Sequence, residues 1–349
     1  MDKTDEITPY KYSPLVASFF SILSRFPENR AACIWHFLNL SFLILSLRIA
    51  FRLAVYANGI QPSSLQASAF ICFLSVLGVA PAILHCLNSG QVGLSILFFY
   101  MLGVSSAFHK KNSLSAFFFA LSAMFKFLPV MIVPYLWFAG KKRIAGLFLF
   151  WFFAFHLMSA LWFGWSKNLN YLSEFLPFLS STTLDHISLV DFKNQSAWAY
   201  LYRLIFYDLG IFEIRNHPEW LVLSGATLFL ILYAIILFSR SKNKSRAFIF
   251  DCSLLAILIV MFNPNAWKHN FVLFLFPYTI LLLEASRGNW KSWRAAALVV
   301  IAGLFLASNR DLLGWNIRFE LMSVSVLFLA SLVLFTSLVF CKAKFRISQ

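Results

Sequence analysis

Apolar runs of roughly 20 residues, the length that crosses a hydrocarbon core as an α-helix, recur along almost the whole chain. Only short polar gaps separate them. A backbone in hydrocarbon must satisfy its own amides, so such a chain is confined to packed helices crossing a bilayer. Composition agrees: 60% of residues are hydrophobic and 12% charged, with mean hydropathy +0.75, too little polar surface for a soluble globule of 349 residues.

The gaps are of two chemical kinds. One kind is basic: His109 to Lys111, Lys141 to Arg143, Arg240 to Arg246, Arg287 to Arg294, and Lys342 to Arg346. The other carries amides, tryptophan, histidine and acids: Asn88 to Gln91, Asp191 to Ser196, and Asn263 to Asn270. Basic loops mark a cytoplasmic face, so the net charge of +15 reflects topology and contact with anionic lipid. No basic reading face accompanies it, and no nucleic-acid partner is expected.

Spans are expected near 32–50, 67–87, 92–108, 144–163, 219–239, 247–263, 269–286, 295–308 and 320–341. The segment between Lys111 and Lys141 breaks the pattern, because its basic flanks belong on one side while a single crossing would separate them. Lys126 in its middle costs about 2.5–3.5 kcal/mol in hydrocarbon, and Pro129 and Pro134 remove backbone donors. Two short arms, 113–124 and 127–139, resolve the conflict by returning the chain. One kinked span with a snorkelling lysine is the alternative.

The expected architecture is therefore all-α: a polytopic membrane protein of about nine transmembrane helices plus a broken-helix hairpin. Residues 1–31 form an outer segment, 32–341 a single helical domain, and 342–349 a cytoplasmic tail. The outer loop 164–218 is expected to hold an interfacial helix over Ala197 to Phe212, its aromatic rings at headgroup level and Arg203 facing phosphate or solvent.

The outer gaps supply the candidate site. Asn88 and Gln91 offer amide donors and acceptors to a hydroxyl-rich ligand, or simply flank a turn at Gly90. Lys126 at a hairpin tip can hold a phosphate. Asn194, Gln195 and Ser196 match the glycosylation sequon, and Arg203 offers a bidentate phosphate contact or a headgroup anchor. Trp267 can stack on a sugar and His269 can assist a phosphate or hydroxyl, against the plainer roles of belt tryptophan and loop histidine. The five cysteines are scattered and the seven histidines show no ligand spacing, so no metal and no cofactor is expected.

In this order, Tyr12-Ser13-Pro14, Trp35, Asn88 with Gly90-Gln91, Lys126 with Pro129, Asn194-Gln195-Ser196 with Arg203, and Trp267 with His269 resemble the glycosyltransferases of family 87. These are GT-C type membrane enzymes that include polyprenol-phosphate-mannose-dependent mannosyltransferases. The resemblance runs from about Tyr10 into the 280s. It implies inverting transfer of a hexose, mannose by analogy, from a polyprenyl-phosphate donor to a glycolipid or glycan acceptor on the outer face of the bacterial cytoplasmic membrane.

The resemblance also implies a catalytic aspartate after an earlier span, and this chain begins almost at the element that follows it. Three readings stand: a start placed downstream of the true one, which is the expectation; another acid in its place; or a non-catalytic relative. Asp185, Asp191 and Asp5 are the acids that could act as the base. A transporter or flippase for lipid-linked sugars would use Lys126 and Arg203 without a base, but no inverted repeat supports it.

Overall fold

A computed structural model describes residues 12–60, 64–183, 186–205, 218–239, 244–286 and 293–344. The described residues are helical, with no strand among them. The first half contains α1 (Pro14–Leu23), α2 (Glu28–Asn58), α3 (Leu65–Gly78), α4 (Ala80–Asn88), α5 (Gly93–Phe108), α6 (Asn112–Phe125), α7 (Ile132–Phe138) and α8 (Lys142–Phe163). The outer region follows as α9 (Trp165–Thr183), α10 (His186–Val190) and α11 (Ala197–Arg203). The remainder is α12 (Pro218–Phe238), α13 (Lys244–Met261), α14 (Leu275–Ser286), α15 (Trp293–Ala307), α16 (Arg310–Ser323) and α17 (Val326–Lys344).

Among the described residues, five helical segments are long and apolar enough to cross a membrane: α2, α8, α12, Lys268–Ser286 and α17. The number rises to seven if the bent pairs α3–α4 (68°) and α15–α16 (89°) each count as one span. The expectation of nine is thus met in part. The expected span at 92–108 is a helix of 16 residues, and the one at 247–263 belongs to a helix that also carries Lys244, Arg246 and Asp251.

The core lies on α13 and α14. Every residue from Phe248 to Met261 is buried, as is every residue from Lys268 to Ala285. The peripheral helices instead turn large apolar side chains outward, including Phe37 at 70%, Phe153 at 66% and Leu161 at 81% exposure. Those residues need a surrounding as apolar as themselves, which a bilayer provides.

Contacts across the bundle sort the gaps to two ends. At the basic end Tyr56 meets Phe108 with ring centroids 4.2 Å apart, Lys141 lies 4.5 Å over the Phe248 ring, Arg294 and Glu284 stand 3.9 Å apart, and Lys342 pairs with Asp251. At the other end Trp35 donates to the Gly90 carbonyl at 2.8 Å, Asn194 to Pro264 at 2.8 Å, and Gln195 to Met322 at 2.7 Å.

The segment 112–138 runs between these ends and back. α6 stops at Phe125, Lys126 is extended (φ −150°, ψ 137°), and a 3-10 turn at Leu128–Met131 starts the descending arm. Pro129 sits in the first turn of that arm, where its missing N–H removes no bond. Tyr135 on α7 then donates to Asp251 at 2.9 Å. Lys126 is therefore placed at the amide end by a proline-forced break, while both basic flanks return to the other end.

Of the interfacial helix expected over 197–212, only residues 197–205 are described. α11 has seven residues, and Ala197, Ala199, Tyr202 and Arg203 are buried in it; residues 206–217 lie outside the described set. The helix that turns at right angles to a crossing is α16, with Leu312, Trp315, Ile317 and Phe319 exposed.

Candidate functional site

The α4–α5 turn forms one wall. Gly90 takes φ +59°, and the Gly90 and Gln91 amides bond back to Leu87 and Cys86 at 3.1 and 3.0 Å, a Schellman-type stop that glycine permits. Asn88 is left exposed. The Gln91 side-chain oxygen accepts from the Tyr12 hydroxyl at 3.2 Å, and Tyr171 donates to the Tyr12 carbonyl. Burial raises the Tyr12 phenol above its ordinary value and pushes Tyr171 up to about 12, so both remain protonated donors at neutral pH.

The second wall is the segment 263–274. Its 3-10 turn, Lys268–Phe274, packs closely on α5: a methyl group on Gly93 would stand 2.9 Å from the His269 carbonyl oxygen. This closeness carries His269 beside His85, with ring centroids 5.7 Å apart. Trp267 stands 6.2 Å from His269 and keeps 43% of its surface exposed. The buried Nδ1 of His269 has no hydrogen-bond partner among the described residues.

The hairpin tip closes the arrangement. The Lys126 ammonium donates to Oδ1 of Asn270, whose amide nitrogen in turn donates to the Asn265 carbonyl at 2.9 Å. Behind Lys126 lies a pocket of about 20 Å³, lined also by Gly93, Asn263 and Asn270. That volume holds a single water at most and is too small for a phosphate. Below the tip an almost wholly apolar groove of about 740 Å³ runs between the descending arm and α12, from Phe127 to Phe138 against Phe229 to Leu237. Tyr233 donates across it to the Met131 carbonyl at 3.1 Å.

The structure thus gathers Gln91, Lys126, Trp267 and His269, with Asn88 exposed beside them. Asn194, Gln195 and Ser196 instead form a fully buried knot behind the second wall. Asn194 donates to Ser188 (3.0 Å) and Pro264, and accepts from the amides of Ser196 (3.1 Å) and Ala266 (3.2 Å). Gln195 donates to Phe192 and Met322 and accepts from the Leu327 amide at 3.1 Å. Ser196 caps α11 through the Ala199 amide at 3.1 Å.

Arg203, expected to face phosphate or solvent, turns inward: its guanidinium donates to the carbonyls of Leu189, Asp191 and Asn194 and to the Ser325 hydroxyl. The physical cause is the α10–α11 loop, whose carbonyls would otherwise be buried without donors. The Asn194 side chain is likewise engaged on both its atoms, which leaves no accessible sequon.

Asp191 is the candidate acid within the described residues. One carboxylate oxygen accepts from the Lys193 amide at 2.9 Å, and the residue lines a cavity of about 710 Å³ with Arg203 and Phe319. Asp5 and Asp185 lie outside the described residues. Sequence reasoning passed over His85 and Asn270. His85 stands three residues before Asn88, the spacing that puts two side chains on one helix face, and this was the available signal.

The sequence profile of glycosyltransferase family 87 matches residues 10–264. No curated protein and no solved structure matches the chain.

Proposed function

The chain belongs to glycosyltransferase family 87, a family of membrane glycosyltransferases, and on that premise we propose that it moves a hexose from a polyprenyl-phosphate donor to an acceptor at the amide end of the bundle. The observation that carries this reading is Lys126: a cation at the tip of a broken hairpin, directly above an apolar groove of about 740 Å³. A lipid phosphate has this shape, with one anionic head and a long apolar tail.

In the proposed reaction the bond between the sugar anomeric carbon and the phosphate oxygen breaks while an acceptor hydroxyl oxygen bonds to that carbon from the opposite face. The lipid phosphate leaves with the electron pair. Lys126 stabilises the charge that grows on the leaving phosphate, and Asn270 holds the ammonium in place. Trp267 offers a half-open ring for the sugar face. His269 has an unmatched Nδ1 for a phosphate oxygen or a sugar hydroxyl, and Asn88 and Gln91 supply amides to the hydroxyls. The acceptor proton passes to a carboxylate, for which Asp191, Asp185 and Asp5 are the residues to test. Mannose is the proposed hexose, and the outer face of the bacterial cytoplasmic membrane the proposed location.

Purified protein in proteoliposomes, given radiolabelled polyprenyl-phosphate mannose or glucose and a crude glycolipid acceptor, tests the reading directly. Label transfer that is lost in Lys126→Met supports it. No transfer from any polyprenyl-phosphate sugar, by protein that is folded and correctly inserted, favours the non-catalytic relative instead.

A further inference from the structure

α16 lies beyond the residues matched by the family and is held at both ends by the walls of the site. At its start Lys268 donates to the Ser308 carbonyl; at its end Gln195 bonds the Met322 carbonyl and the Leu327 amide, and Arg203 the Ser325 hydroxyl. A kink at Gly314 (φ +74°, ψ 177°) divides it. It stands at 89° to α15, the angle of a helix that lies along a bilayer surface where α15 crosses upright. Leu312 (59%), Trp315 (49%), Ile317 (55%) and Phe319 (42%) are exposed on it, as tryptophan and aliphatic side chains are in helices at a membrane interface.

Two guanidiniums share one ring here. Arg310 lies 5.5 Å and Arg318 5.6 Å from the Trp315 ring, and Arg318 is also 5.5 Å from Phe192. Nε of Arg318 is buried with no partner, and neither arginine makes an ion pair among the described residues. The two like charges repel, the nearby Asp311 carboxylate offsets part of that repulsion at Arg318, and a bound anion would offset more of it. Beside them opens the cavity of about 710 Å³, whose mainly apolar walls include Val190, Phe192, Phe319 and Val324 together with Asp191 and Arg203. Phe192 and Phe319 belong to this wall, which puts Arg318 at the cavity rim.

We propose that α16 forms a binding site for one anionic phospholipid, its phosphate held between Arg310 and Arg318 and an acyl chain lodged in the cavity between α16, α17 and the 190–204 segment. The volume of about 710 Å³ is within the range of small-molecule ligand sites, enough for part of an acyl chain. Phosphate geometry suits paired guanidiniums, which donate through fixed forks. The cavity is distinct from the Lys126 groove, though Asp191 lines it and Arg318 lies within electrostatic reach of His85 and Lys268.

Native mass spectrometry of the full chain, released from mixed phosphatidylglycerol and phosphatidylcholine, measures the occupancy. Wild type is expected to retain phosphatidylglycerol preferentially, and Arg310→Gln/Arg318→Gln to lose that preference about tenfold, the equivalent of one charge-assisted bond. Val324→Trp fills the cavity from its edge and should lower retention of both lipids. If the arginine variant does not fold, this second variant decides. Equal retention of both lipids by wild type overturns the proposal, as does unchanged phosphatidylglycerol retention in the folded arginine variant or in Val324→Trp. Displacement of the lipid by millimolar inorganic phosphate would mark a site for free anions and overturn it as well.

Discussion

Lys126 and Asn270 are 144 residues apart in the chain and joined by a hydrogen bond from the ammonium to the side-chain oxygen. This partner is a neutral amide, so the bond orients the ammonium without itself cancelling its charge. An aspartate in the same place would cancel it.

Lys126→Met is therefore expected to weaken donor binding by roughly 1.5–3 kcal/mol, the range of a hydrogen bond to a charged group. Asn270→Asp should produce a comparable loss although the lysine is intact, and Asn270→Ala a smaller one. Donor KM in proteoliposomes measures all three. Unaltered KM in Lys126→Met returns that lysine to a snorkelling role.

Asn194 is predicted to be a stability residue. Its side chain satisfies two carbonyls and two amides, all in a buried loop. Asn194→Ala leaves them without partners at about 1–3 kcal/mol each where water cannot reach. A large drop in melting temperature in detergent is the expected outcome, with Asn194→Asp intermediate because it keeps the acceptor. Expression in a host that glycosylates secretory proteins should give no mass shift at Asn194; a shift would mean that the knot opens before the chain is packed.

Much of this arrangement was legible in the sequence because membrane insertion is governed by local quantities. Lys126 and Pro129 between basic flanks located the hairpin break, since both cost free energy in a continuous apolar helix. Gap chemistry likewise sorted Asn88, Asn194 and Trp267 to one end. Arg203 was misjudged for the opposite reason: whether a guanidinium faces solvent or four protein acceptors depends on tertiary contacts with Ser325 and the α10–α11 carbonyls, which periodicity does not encode. The 89° turn between α15 and α16 was not anticipated, because it has no composition signal stronger than Ser308-Asn309.

At the basic end, Lys342 on α17 pairs with Asp251 on α13, and Tyr135 from the hairpin's descending arm donates to the same carboxylate at 2.9 Å. Three elements far apart in sequence meet there. Removing one charge of such a buried pair should cost about 3–5 kcal/mol, whereas replacing both with apolar residues is often close to neutral. Lys342→Met and Asp251→Leu should thus each destabilise strongly and the double variant much less, measured as a double-mutant cycle in detergent melts. Additive single effects would show that the pair does not couple α17 to α13.

Accessibility tests the hairpin itself. Single cysteines at Lys110 and Lys141, in a background without the native thiols, should react with a membrane-impermeant maleimide from the same side of sealed vesicles. The Tyr135–Asp251 and Lys141–Phe248 contacts bring both basic turns to one end of the bundle. A cysteine at Asn88, exposed at the other end, should react from the opposite side. A single kinked span would place Lys110 and Lys141 on opposite sides, carry Lys126 into mid-membrane, and separate it from the Asn270 amide. Opposite-side labelling of the two lysine positions would therefore refute the hairpin and the phosphate site together.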